Sequence, residues 1–159
     1  MDSFEKYFIL AVSLLSRRAR SSKEIRDYLF RKKAPPEIIE EVIKKLQEKK
    51  FQSDEAFARW WKESRTRFKS KSDRIIKLEL RQKGISDEII TTVMNEQTEE
   101  SKSDYEKALH LGTKYKKRIV DLPTGDQYRR LSNFLAQRGF DYDVIRRVID
   151  DVLERGYNT

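Results

Sequence analysis

An all-α protein built of three tandem three-helix repeats is what this sequence predicts, on three observations. Apolar residues recur at helical spacing, one hairpin-like segment occurs three times without a gap, and nothing alternates as a strand does. The repeated segment reads LFRKKAPPEIIEEV from Leu29, LRQKGISDEIITTV from Leu80 and LAQRGFDYDVIRRV from Leu135. Leu29, Leu80 and Leu135 each close one helix face, and Lys33, Gly84 and Gly139 take the turn. Ala34, Ile85 and Phe140 then supply an apolar staple, and Pro35, Ser86 and Asp141 stand at the next N-cap.

The first repeat, 1–50, opens on a helix marked by Phe4, Tyr7, Phe8, Ala11, Leu14 and Leu15. Its second helix starts at Ser21, whose spacing from Glu24 is that of a capping box. The third carries Ile38, Ile39, Val42 and Ile43, at i, i+1, i+4 and i+5, with Pro36 suited to its first turn. In the second repeat, 51–98, the opening stripe is Phe57, Trp60, Trp61 and Phe68, and the closing one Ile89, Ile90, Val93 and Met94. The third repeat, 102–157, opens with Tyr105, Ala108, Leu109 and Tyr115 behind a Ser103/Glu106 box, and closes with Val144, Ile145, Val148 and Ile149. Between them Pro123 and Gly125 break the helix, and Thr124 with Gln127 has capping-box spacing. A module of fifty residues buries little alone, so neighbours are expected to pack end to end into an elongated body.

Composition agrees with much surface per residue: 39% of the 159 residues are charged and 37% apolar. Lysine and arginine number 35 against 27 acids, a net +8 that favours a polyanionic partner. The excess is concentrated. Residues 59–83 hold ten cations against three acids, a net +7, whereas 87–106 holds seven acids and only Lys102, a net −6. A basic surface beside an acidic one suits a partner that mixes exposed phosphate with basic protein, as a nucleoprotein filament does. Two solvated faces that neutralise one another would give the same pattern.

Few residues suit catalysis. His110 is the single histidine, placed between Leu109 and Leu111 on a helix, and the five glycines are scattered singly, so no phosphate loop or dinucleotide fingerprint can be built. Carboxylates lie among cations at helical spacing, where solvated ion pairs are the usual role. Cysteine is absent, which removes disulfides and thiolate metal sites and fits a reducing compartment. No apolar run is long enough for a bilayer, and the acidic start MDSFEK lacks the basic head of a secretion signal. A non-enzymatic cytoplasmic protein without cofactor or metal is therefore expected. Trp60 and Trp61 could stack on bases, but their spacing from Phe57 reads as core packing.

The segment FQSDEAFARWW from Phe51 to Trp61, followed by Arg65, resembles the most recognisable stretch of the RecX family: an aromatic, a turn, an acid, then Phe-Ala and a Trp ahead of an Arg. Arg74, Ile76, Glu79, Leu80, Lys83, Gly84 and Ile85 are similar to the family's second signature, and Leu15-Ser16-Arg17-Arg18 to its N-terminal repeat. The resemblance spans nearly the whole chain and is weakest after Ser101. Ser72 stands where the family usually has glycine, and Lys33 where the other two repeats have it. What the resemblance implies is an elongated, curved body of three three-helix repeats. It also implies a monomer that binds RecA filaments within their deep groove and inhibits strand exchange, ATPase and the co-protease role, in DNA repair, homologous recombination and the SOS response.

On that reading the filament or DNA contact is expected at Arg59, Arg65, Arg67, Lys69, Lys71 and Arg74, with Lys114, Lys116, Lys117 and Arg118 as a second contact on the third repeat. Arg67 to Arg74 bridges two predicted helices, and binding residues collect on such segments. Single- and double-stranded DNA are expected to bind weakly alone. A stand-alone DNA- or RNA-binding module of helix-turn-helix type is the alternative, and a protein adaptor whose charge serves solubility comes third.

Overall fold

The computed structural model describes residues 1–98 and 101–153, apart from the side chains of Phe68 and Lys69. The expected end of the third repeat at 157 lies outside the described residues. Among those described there are nine α-helices and no strand. They are α1 Ser3–Arg17, α2 Ser22–Arg31, α3 Pro36–Glu48, α4 Asp54–Ser64, α5 Asp73–Gln82, α6 Asp87–Asn95, α7 Asp104–Ile119, α8 Thr124–Gln137 and α9 Tyr142–Leu153. A π-helical turn, Arg65–Lys69, prolongs α4.

The three repeated segments fold alike, and their backbone hydrogen bonds say why. The amides of Ala34, Ile85 and Phe140 donate back to the carbonyls of Leu29, Leu80 and Leu135 at 3.0, 3.1 and 3.3 Å. This six-residue closure satisfies carbonyls that a helix end leaves open, and it needs a left-handed residue in the turn. Gly84 and Gly139 supply it with φ of +78° and +89°. Lys33 adopts the same conformation at φ +65°, so the side chain that departs from the glycine pattern is accommodated rather than avoided. The staples Ala34, Ile85 and Phe140 are all buried.

Helix starts follow the predicted caps with one correction. Ser21 and Ser103 accept the amides of Glu24 and Glu106, both at 3.1 Å, and Ser86 accepts that of Ile89. The Thr124/Gln127 box does not form as expected. The cap there is Pro123, which places Thr124 inside the helix, and the Gln127 amide turns back to the carbonyls of Val120 and Leu122. Proline fixes the extended backbone a cap requires, which removes the need for a side-chain acceptor.

The chain forms two compact units, and the division falls inside α4 and α5. The first comprises 1–62 and 78–96. In it α1, α2 and α3 pack around Ala11, Ile25, Leu29, Val42 and Leu46, while Phe57, Trp61, Leu80, Ile90 and Val93 are buried as well. The second comprises 63–77 and the chain from 97 onward. Here α7, α8 and α9 close over Ala108, Ile119, Leu131, Leu135, Val148 and Ile149.

Candidate functional site

Arg59, on α4, belongs to the first unit, and the other nine expected contact residues belong to the second. Arg59 donates to Glu96 at 2.8 and 3.0 Å and also to Glu55 one turn earlier. Those bonds hold the Glu96 carboxyl below the ordinary carboxylate range and raise the guanidinium above its own ordinary value. The neighbouring Lys62 donates to the carbonyls of Val93 and Glu96 at 2.9 and 3.0 Å, which covers the end of α6. Part of the basic run thus neutralises part of the acidic stretch that follows it.

In the second unit the π turn places Arg65 and Arg67 on a helix end rather than on a loop. Its wider winding closes where Ser70, at φ +48°, returns its amide to the Arg65 carbonyl. The loop proper is only Ser70 to Ser72. Arg67 pairs with Glu63 at 3.2 Å with both side chains half exposed. The side chain of Lys69 lies outside the described residues. Ser72, fully buried, accepts the Ile75 amide and so starts α5. Arg74 donates to the Gly139 carbonyl at 3.1 Å.

One residue that sequence reasoning missed organises this region. Lys107 of α7 is 2% exposed, and its Nζ donates to the Lys71 carbonyl at 3.0 Å and to Asp73 Oδ1 at 2.9 Å, with Asp104 at 3.7 Å. Asp104 in turn accepts the Asp73 amide at 3.0 Å, and burial pushes its carboxyl above the usual range. A lysine this deep needs such a ring of acceptors, because an unpaired buried ammonium is strongly disfavoured. The consequence is geometric. The backbone of Lys71 is fastened to α7, and Lys114 and Arg118, seven and eleven residues on, lie within about 20° of Lys107 around that helix.

Of the second expected cluster, Lys114, Lys117 and Arg118 are exposed, and Lys116 is half-buried with its Nζ on the Val152 carbonyl at 2.9 Å. Lys116 therefore closes the end of α9. His110 is exposed, and no group of three or more His, Cys, Asp or Glu among the described residues could hold a metal. No described helix is long and apolar enough to cross a membrane.

Comparison with known proteins gives these features a family. Residues 9–46, 53–94 and 103–149 match, in order, the models of the first, second and third three-helix domains of RecX. The chain belongs to the RecX family. It is 35% identical to the regulatory protein RecX of Chlorobium phaeobacteroides, over 93% of this chain and 94% of that one. Identity is 34% to the RecX of Oceanobacillus iheyensis and 32% to that of Bacillus subtilis, and this chain spans 55% and 56% of their lengths. The crystal structure of RecX from Lactobacillus salivarius superposes with a TM-score of 0.77 at 26% identity, over 95% of this chain and 97% of that one. Family members are thus regulatory proteins by name, and the all-helical three-module reading stands.

Proposed function

We propose that this RecX-family chain binds a RecA-type recombinase filament on DNA and restrains its strand exchange, ATPase and co-protease activities. The modules doing so are 1–50, 51–98 and 102–157, acting in the cytoplasm as a monomer without catalysis or cofactor. The observation that carries the reading is the Lys107 anchor. Its bond to the Lys71 carbonyl brings the end of the basic segment Arg65–Lys71 to α7 at Lys107, and Lys114, Lys117 and Arg118 follow about 10–17 Å farther along that helix. Two clusters separated by 43 residues of sequence, from Lys71 to Lys114, thereby act as one basic stripe within a single unit. Arg65, Arg67, Lys69, Lys71, Lys114, Lys117 and Arg118 make the contact. Arg59, Arg74 and Lys116 are further contact residues, each also bonded within its own unit.

Several cations facing phosphates act together and make binding strongly dependent on salt. The test is recombinase ATPase on single-stranded DNA as this protein is added, at several salt concentrations. Reversing Arg67, Lys69 and Lys71 to Glu should raise the concentration for half inhibition on the order of tenfold and flatten its salt dependence. Reversing Lys44 and Lys45 on α3 and Lys49 at its C-cap, all exposed, is the matched control. Equal loss in both triple variants would mean that net charge alone matters and would overturn the assignment. Selective binding of one bare duplex sequence, with no gain when recombinase coats it, would favour a stand-alone DNA-binding module.

A further inference from the structure

Another concentration of charge lies wholly within the first unit and includes none of the residues assigned above. A cleft of about 250 Å³ opens among Arg20, Lys23, Glu24, Asp27, Tyr28, Arg31 and Lys83. Glu24 is its hub, with its side chain only 15% exposed. Arg18 reaches it at 2.6 Å, Arg20 at 3.6 Å and Lys83 at 4.0 Å. Three cations thus surround one carboxylate, Lys23 pairs with Asp27 at 3.5 Å, and Arg31 adds a further positive charge at the rim.

Five cations, Arg18, Arg20, Lys23, Arg31 and Lys83, stand against two carboxylates, Glu24 and Asp27, and the three unbalanced positive charges attract a further anion. The Nε of Arg20, whose side chain is 17% exposed, is buried and has no hydrogen-bond partner among the described residues. Beside the cluster, the guanidinium of Arg18 sits 5.8 Å over the ring of Trp60, which is 37% exposed. Trp61 is the buried member of that pair. The site is built rather than incidental. Gly84 brings the end of α5 so close to α2 that a Cβ on it would lie 2.7 Å from Lys23 Cβ.

We propose that this cleft seats a backbone phosphate of single-stranded nucleic acid, with Trp60 as the stacking surface for an adjoining base. Arginine forks and a lysine head match the two anionic oxygens of a phosphodiester. A strand whose bases are unpaired can lay one on an exposed indole, which a duplex cannot. A carboxylate-bearing peptide would satisfy the charge and leave Trp60 without a role. The site is independent of any recombinase, so it stands or falls separately from the filament reading.

The test uses the full chain and a labelled oligothymidylate, without recombinase, followed by anisotropy and by tryptophan emission. The wild-type chain should bind, with quenching of emission. Arg20→Gln combined with Lys83→Gln should weaken binding about tenfold or more and lower the salt slope by about one to two contacts. Trp60→Leu should weaken it about fivefold or more, abolish the quenching and leave the salt slope unchanged. Should the double variant fail to fold by circular dichroism, Arg31→Glu at the rim is read in its place and should weaken binding at least threefold. Inorganic phosphate at matched concentration should displace little of the oligonucleotide. Wild-type affinity in the Arg20/Lys83 or Arg31 variants, quenching that survives Trp60→Leu, or displacement by polyglutamate as effective as by unlabelled strand would each overturn the proposal.

Discussion

Replacing Lys107 by Met tests the anchor on which the basic stripe depends. Methionine keeps the unbranched stem, so the packing of the methylenes on α7 is nearly preserved and only the ammonium is lost. Three interactions go with it, the weakest being the ion pair to Asp104 at 3.7 Å. The bond to the Lys71 carbonyl is charge-assisted and part-buried, of a kind that contributes about 1.5–3 kcal/mol. The pair with Asp73 contributes less, since that carboxylate is 48% exposed and can be hydrated in the variant, which limits its share to about 1 kcal/mol. The expected loss is therefore about 1.5–4 kcal/mol, toward the low side of the 3–5 kcal/mol typical when one partner is removed from a wholly buried pair. Urea unfolding followed by far-UV circular dichroism measures it. A double-mutant cycle with Asp73→Asn should return a coupling below about 1 kcal/mol. A Lys107→Met variant within about 0.5 kcal/mol of the parent would refute the reasoning, since nothing of the anchor's strength would remain to hold the loop.

Two further outcomes follow from the turns and from the acid beside the anchor. Lys33→Gly should stabilise the chain by about 0.5–1 kcal/mol, because it relieves a left-handed lysine. Gly139→Ala should cost about 2 kcal/mol or more, because its Cβ would lie 2.1 Å from Ile75 Cγ1; both are read from denaturation midpoints. The Asp104 carboxyl is raised above its ordinary value, chiefly by burial, so the folded chain holds that proton more tightly than the unfolded one does. Its contribution to stability is complete below the unfolded value of about 3.9 and is lost as pH rises through the folded value. Asp104→Asn removes that loss while keeping an acceptor for the Asp73 amide. Its stability relative to the parent should therefore rise between about pH 4 and pH 7, and a relative fall over that window would contradict the assignment.

What was legible in the sequence was whatever is decided within a dozen residues. The hairpins were, because a left-handed turn, a staple and a cap follow one another at fixed offsets in all three repeats. The Trp60/Trp61 pair was half legible: spacing from Phe57 placed both in the core, and Trp61 is buried there while Trp60 stays 37% exposed. Thr124 was misread because two acceptable caps stand side by side and the proline took the position. Lys107 was not legible at all. On a helix face it reads as one more solvated cation, and its partners lie 34 and 36 residues away. The charge runs hid a similar point. Arg59 and Glu96 are counted in opposite blocks, and only folding makes them a pair.

The division of the chain within α4 and α5 has a consequence for synthesis. Residues 63–77 take their contacts from a body whose remainder begins at 97, so while the chain grows they leave the ribosome without a surface to settle on. Until α7 and the Gly139 turn have emerged, the Lys71 carbonyl, the Asp73 carboxylate, the Arg74 guanidinium and the apolar Ile75 all lack those partners. The first unit has the opposite difficulty, since it must close around a gap by joining 78–96 to helices made earlier. The most basic stretch of the nascent chain is therefore also the one left longest unstructured, open to any polyanion nearby until the third module is complete.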